Sequence, residues 1–116
     1  MVETKLIEYL SDLVAINSVN PNLSDQGQGE KEIAQYIHSH FQSLGFNTSL
    51  FEVAKDRCNT TSFLSGNKSS KVLLMNGHID TVGIEDMDSP FILRQDGDRL
   101  YGRGAYDMLA GCAIQM

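Results

Sequence analysis

At 116 residues, 41% hydrophobic and 21% charged, the chain is long enough for one compact domain and has an ordinary globular composition. Its net charge of −6 argues against nucleic acid and anionic membrane surfaces as partners. No apolar stretch approaches a membrane span, and the start, Met-Val-Glu-Thr-Lys, lacks the apolar core of a signal peptide, so the expected location is cytoplasmic. Cys58 and Cys112 are too few for a disulfide framework, form no CxxC site and are expected as free thiols. The sequons at Asn22, Asn47, Asn59 and Asn67 carry no weight without a secretion signal.

Leu6, Ile7, Leu10, Leu13 and Val14 recur at helical spacing, with Thr4 as the expected cap. Residues 17–29, rich in Asn, Ser, Gly and Gln and carrying Pro21, read as a loop. A second helix is expected over about 30–44, with Ile33, Ala34, Ile37, Phe41 and Leu44 on one face and Gly45 at its C-terminal cap. Residues 46–53 and 58–64 are strand-like. Residues 72–76 form a short apolar run of the kind found in a buried central strand. Residues 91–95 and 99–101 flank Asp96-Gly97-Asp98, a hairpin signal. A third helix is expected from Met108 onward, unfinished at Met116. There are no repeats, and the order predicts one α/β layer domain, truncated before its last helix is complete.

Two motifs carry the chemistry. Gly77-His78-Ile79-Asp80-Thr81-Val82 follows the apolar run, where open α/β sheets place ligand sites. In an extended chain residues i and i+2 share a side, so Asp80 can reach the His78 ring. A carboxylate accepting from one ring nitrogen fixes the tautomer and frees the other nitrogen for a metal. Taken alone, His-x-Asp also fits a surface histidine near a turn aspartate. The second motif is Gly102-Arg103-Gly104-Ala105-Tyr106-Asp107-Met108. Asp107 alone fits a simple helix cap. A dinucleotide-binding GxGxxG turn is disfavoured, because Asp107 fills the third glycine position and would repel a pyrophosphate.

Read in order, His78-x-Asp80, Pro90-Phe91, the Asp96-Gly97 hairpin and Gly102-Arg103-Gly104-Ala105-x-Asp107-Met108 resemble the zinc metallopeptidase family of acetylornithine deacetylase, succinyl-diaminopimelate desuccinylase and glutamate carboxypeptidase (peptidase family M-twenty). The resemblance extends to the first two helices and the Ser18-Val19-Asn20-Pro21 loop. It implies that residues 1–116 are the N-terminal portion of a three-layer α/β zinc-peptidase catalytic domain, with the rest of that domain and the lid or dimerisation domain absent. It implies two zinc ions, with cobalt as an alternative, His78 on one metal, Asp107 bridging both, and Asp80 as the catalytic-site aspartate that orients His78. It also implies a cis Asp107–Met108 peptide.

The activity so implied is metal-dependent hydrolysis of an amide bond in a small-molecule substrate. An N-acyl amino acid, as for a deacylase or deacetylase, leads over a short peptide, as for a carboxypeptidase or dipeptidase. The full-length form would be a homodimer. The family's general base is one of an adjacent Glu-Glu pair, and this chain contains no Glu-Glu. Glu85 and Asp86 precede Asp107 and do not match that motif. The chain alone is therefore expected to bind zinc weakly and to be inactive, and a non-enzymatic truncated product is the competing class. Gly83, Leu109 and Ala110 stand where relatives often carry Pro, Lys and Gly. His38 and His40, two apart on a helix, are expected to diverge as surface residues. Met75, Met87 and Met108 are expected in packing, and Arg103 as a brace for the turn or a nearby carboxylate.

Overall fold

The computed structural model describes residues 1–67 and 70–116, so the sequon at Asn67 runs into residues outside the described ones. Helix α1 is Val2–Ala15 and buries Leu10, Leu13 and Val14, the stripe read from the helical spacing. It starts earlier than expected: Thr4 lies inside it, and Met1 takes the cap position without a side-chain bond. Helix α2 is Lys31–Ser43 and buries Ile33, Ala34 and Ile37. Gly45 ends it with φ 84°, a left-handed conformation that favours glycine. His40 is half-buried rather than exposed, its ring edge-on to Tyr9 of α1 at 4.9 Å. His38 is half-buried as well, so neither is the surface histidine expected. An aromatic-length stem between two crossing helices is more favourably covered than solvated.

Strands β1 (Asn47–Ala54) and β2 (Arg57–Phe63) pair antiparallel from Asn47 with Phe63 to Ala54 with Arg57, with a register shift between Glu52 and Ala54. This hairpin packs against α2. Its turn is fastened to the start of α2. Glu30 and Arg57 form a two-pronged ion pair, with only 9% of the Glu30 side chain exposed, and the Lys31 amide donates to the Asp56 carbonyl at 3.1 Å. Glu30 therefore braces the hairpin instead of capping its own helix. Strands β3 (Arg94–Asp96) and β4 (Arg99–Tyr101) form the expected hairpin around Gly97-Asp98. It is shorter than read, since residues 91–93 are not strand.

The third helix, α3, is Ala110–Gln115, preceded by a distorted turn over Ala105–Leu109. Asp107 and Met108 have non-helical backbone angles, so the helix opens after Asp107 and not at it. Leu10, Leu13, Val14, Ile33, Ile37, Ala105, Leu109, Cys112 and Ala113 form one core shared by the three helices and that turn.

Residues 72–76 depart from expectation. They belong to no strand, and Val72, Leu73 and Leu74 are 76%, 84% and 82% exposed. A central strand needs ladder partners on both edges, and among the described residues none lies beside this run. Among the described residues an isolated bridge joins Val19 to Thr81 in parallel, beyond this run. The fold is mixed α/β. No helix among the described residues is long and apolar enough to cross a membrane.

Candidate metal centre

The extended segment 76–80 lies across one face of α3. Successive carbonyls of an extended chain alternate, so those of residues 76 and 78 point the same way. Gln115 Nε2 donates to the Asn76 carbonyl at 3.3 Å, and Cys112 Sγ donates to the His78 carbonyl at 3.3 Å. The two donors are three apart on the helix and so share its face. Burial pushes the Cys112 thiol up, which keeps it protonated and able to donate. Gly77 sits between these contacts. A Cβ there would lie 3.0 Å from Met108 Cε and 3.2 Å from Gln115 Nε2, so a side chain would press on the ends of those two side chains.

A second close approach delivers Asp107. Gly104 has φ 74°, and a Cβ on it would meet Thr81 Cγ2 at 2.3 Å. The turn therefore presses against the segment that carries Asp80. Arg103 braces this turn from outside, with its guanidinium on Asp86 and its amide on the Pro90 carbonyl at 2.8 Å. The Asp107–Met108 peptide is cis, as the resemblance implies.

These constraints bring the three expected residues together. His78 Nε2 lies 2.9 Å from Asp107 Oδ1, across 29 residues of sequence. His78 Nδ1 lies 3.2 Å from both the Oδ1 and the carbonyl of Asp80. Asp80 Oδ2 in turn accepts from Asn20 Nδ2 at 2.9 Å. The His78 side chain is half exposed and that of Asp107 is 78% exposed, so the pair faces solvent. Desolvation opposes a charged His78 ring, but the hydrogen bond to Asp107, then those to Asp80, outweigh it and raise its pKa above the ordinary 6.5. Both ring nitrogens face acceptor oxygens, which favours either a proton or a cation at Nε2.

The comparisons with known proteins point to one family. Residues 74–116, which hold both motifs, match the profile of Peptidase family M20/M25/M40. A probable succinyl-diaminopimelate desuccinylase of Staphylococcus aureus (strain MRSA252) is 28% identical over 113 residues, 94% of this chain and 26% of the relative. An acetylornithine deacetylase of Salmonella arizonae is 30% identical over 105 residues, 88% of this chain and 27% of the relative. An N-formyl-4-amino-5-aminomethyl-2-methylpyrimidine deformylase of Halalkalibacterium halodurans is 29% identical over 112 residues, 91% of this chain and 26% of the relative. These matches support a place in the M20/M25/M40 peptidase family, whose profile is carried by residues 74–116. The chain spans about a quarter of the length of the curated relatives it matches.

Peptidases of this family imply a metal, and the donor chemistry here can be tested against it. An imidazole nitrogen and a carboxylate oxygen are both zinc ligand types, and two donors about 2.0–2.2 Å from one ion sit roughly 3 Å apart. The His78–Asp107 pair fits in type and spacing. It falls short in number, because catalytic zinc takes three protein ligands, and among the described residues no group of three or more His, Cys, Asp or Glu is placed to hold one metal ion.

Sequence reasoning missed Asn20, Cys112 and Gln115 as parts of this centre. Asn20 stands 60 residues from Asp80, and no spacing rule joins them. For Cys112 and Gln115 a signal existed: their i, i+3 spacing marks one helix face, directly after the Asp107 turn.

Proposed function

We propose that residues 1–116 are one side of the catalytic domain of a two-zinc amide-bond hydrolase, with His78 on one metal, Asp107 reaching both and Asp80 orienting His78. The observation that carries this reading is the 2.9 Å approach of His78 Nε2 to Asp107 Oδ1 from two motifs 29 residues apart. Zinc bound there would supply Lewis acidity toward an amide carbonyl and toward water. The chain's own residues would do the positioning. Asp80 accepts the Nδ1 proton, which leaves the Nε2 lone pair facing outward. Asp107 turns one oxygen to His78 and, on a largely exposed side chain, leaves the other free for a second ion.

The substrate class we favour is an N-acyl amino acid, ahead of a short peptide. The relatives named above are a desuccinylase, a deacetylase and a deformylase, and each name describes removal of an acyl group. Cobalt is the alternative metal, and a homodimer the proposed form of the whole protein. By itself the chain is proposed to turn nothing over, because two donors make a weak zinc site and no Glu-Glu pair supplies a base.

The test is zinc titration of the chain by calorimetry, followed by an N-acetylornithine hydrolysis assay. Weak binding that disappears in His78→Ala and in Asp107→Ala, with no turnover, is the expected result. Zinc binding indifferent to both substitutions would refute the site. Turnover by the purified chain that requires His78 would refute its proposed inactivity.

A further inference from the structure

The Ser18–Asn20 loop is held against Thr81 far more firmly than its loop-like composition suggests. The Thr81 amide donates to the Ser18 carbonyl at 3.0 Å, and the Asn20 amide donates to the Thr81 carbonyl at 2.8 Å. Val19, between them, is fully buried. The Asn20 carbonyl accepts from the amides of Leu23 at 2.9 Å and Ser24 at 3.2 Å, which closes the following turn. Asn20 Oδ1 accepts from the Asn22 amide at 2.9 Å. That last bond decides which end of the planar amide is oxygen, and it leaves Nδ2 aimed at Asp80 Oδ2, 2.9 Å away.

We propose that Asn20 is a positioning residue for the candidate metal centre: its side-chain amide fixes the Asp80 carboxylate, which in turn fixes the His78 ring. This inference rests on the reading of His78, Asp80 and Asp107 as the metal-facing group. Asp80 Oδ1 faces His78 Nδ1 at 3.2 Å while Oδ2 is held by Asn20, so neither oxygen is free to rotate away. The Arg57 guanidinium lies close enough to feel the Asp80 charge, but Glu30 engages it through two nitrogens. Among the described residues Asn20 is thus the side-chain donor that orients Asp80. A loop fastening needs no such bond, because the backbone bonds to Thr81 already tie the loop down. Asparagine suits both tasks, with one acceptor for the turn and one donor for the carboxylate on the same plane.

The discriminating variant is Asn20→Asp. It keeps the turn acceptor, since aspartate forms the same turn, and it replaces the donor with an oxygen that faces Asp80. The readout is the His78 tautomer, from the two-bond proton–nitrogen correlation of the ¹⁵N-labelled chain, at one fixed pH where the ring is neutral. For this readout all variants are compared in an Asp107→Ala background, which removes the acceptor facing Nε2, and the chain with Asn20 intact should hold His78 there as the Nδ1–H form. Asn20→Asp should release it toward a mixture, with backbone amide signals of residues 19–24 and 81 little changed. With Asp107 in place, zinc affinity should fall by at most about tenfold, the low end of the loss seen on removing an outer partner of a ligand.

An unchanged tautomer in Asn20→Asp, beside a released one in Asp80→Asn, would overturn the proposal and leave the metal-centre reading standing. An unchanged tautomer in both would overturn the two together. Should Asn20→Asp fail to fold, solvent exchange of the Asn20 side-chain amide decides instead. Slow exchange that becomes fast in Asp80→Ala supports the proposal, and fast exchange in the unmodified chain overturns it.

Discussion

Two apolar regions of similar composition meet different fates in this molecule. Leu10, Leu13, Val14, Ile33 and Leu109 lie at helical spacing and are buried against one another. Val72, Leu73 and Leu74 are as apolar and are mostly exposed. The difference lies in where each region finds its partners. A helix satisfies its own backbone bonds and needs only a neighbour for one face. An extended run needs partners for its backbone as well as for its side chains. The candidate metal centre lies on the seam between the two. Asp107 comes from the turn that opens onto the buried core, and His78 from the segment that continues the exposed run, held down by Cys112 and Gln115.

The contrast is broken most directly by truncating one leucine on each side. Leu13→Ala, at a fully buried position, should cost about 3 kcal/mol of unfolding free energy. Leu74→Ala should stay within roughly 0.5 kcal/mol of the parent chain. Urea denaturation of the two variants measures both, and a comparable loss in each would mean that the 72–75 run is packed in solution. Next in size is Gly104→Ala, which should cost about 2 kcal/mol, because alanine is strained at φ 74° and its methyl would strike Thr81. Gly66→Ala is the control, since its added methyl meets nothing within 4 Å. Gly104→Ala should also separate Asp107 from His78, and a variant as stable as the control would show that the close approach of the two motifs is not needed.

The same contrast explains what the sequence could disclose. The faces of α1 and α2, the Gly45 cap, the strands β1 and β2, the β3–β4 hairpin and the two chemical motifs were legible, because each is written in residues a few positions apart. Residues 72–76 were legible as apolar but not as exposed, since partners are not encoded in the run itself. The start of α1 was misplaced because Thr4 resembles a cap and nothing local says that the helix has already begun. His40 was read as a surface residue because its place beside Tyr9 depends on how α1 and α2 cross. The Asn20–Asp80 bond was invisible for the same reason: it exists only after two segments 60 residues apart have been joined through Val19 and Thr81.

The smallest effect is also the one most specific to the seam. In the metal-free chain His78 should titrate above 6.5, because its bonds to Asp107 and Asp80 favour the charged ring more than burial disfavours it. The sign for stability follows by linkage. A histidine whose folded value is raised contributes stability that is fully present below its unfolded value and is lost as pH rises through the folded value. With a half-exposed ring the contribution is small, so the midpoint is the better measure. Asp107→Asn should lower the His78 midpoint more than Asp80→Asn, because the bond to Asp107 is the larger of the raising interactions. A midpoint at or below 6.5 in the unmodified chain, followed by the ring proton signals across pH, would mean that the two motifs do not meet in solution. A midpoint that responds to Asp80 but not to Asp107 would place the failure on the turn side of the seam, at the close approach that Gly104 permits, and would leave the His78–Asp80 pairing intact.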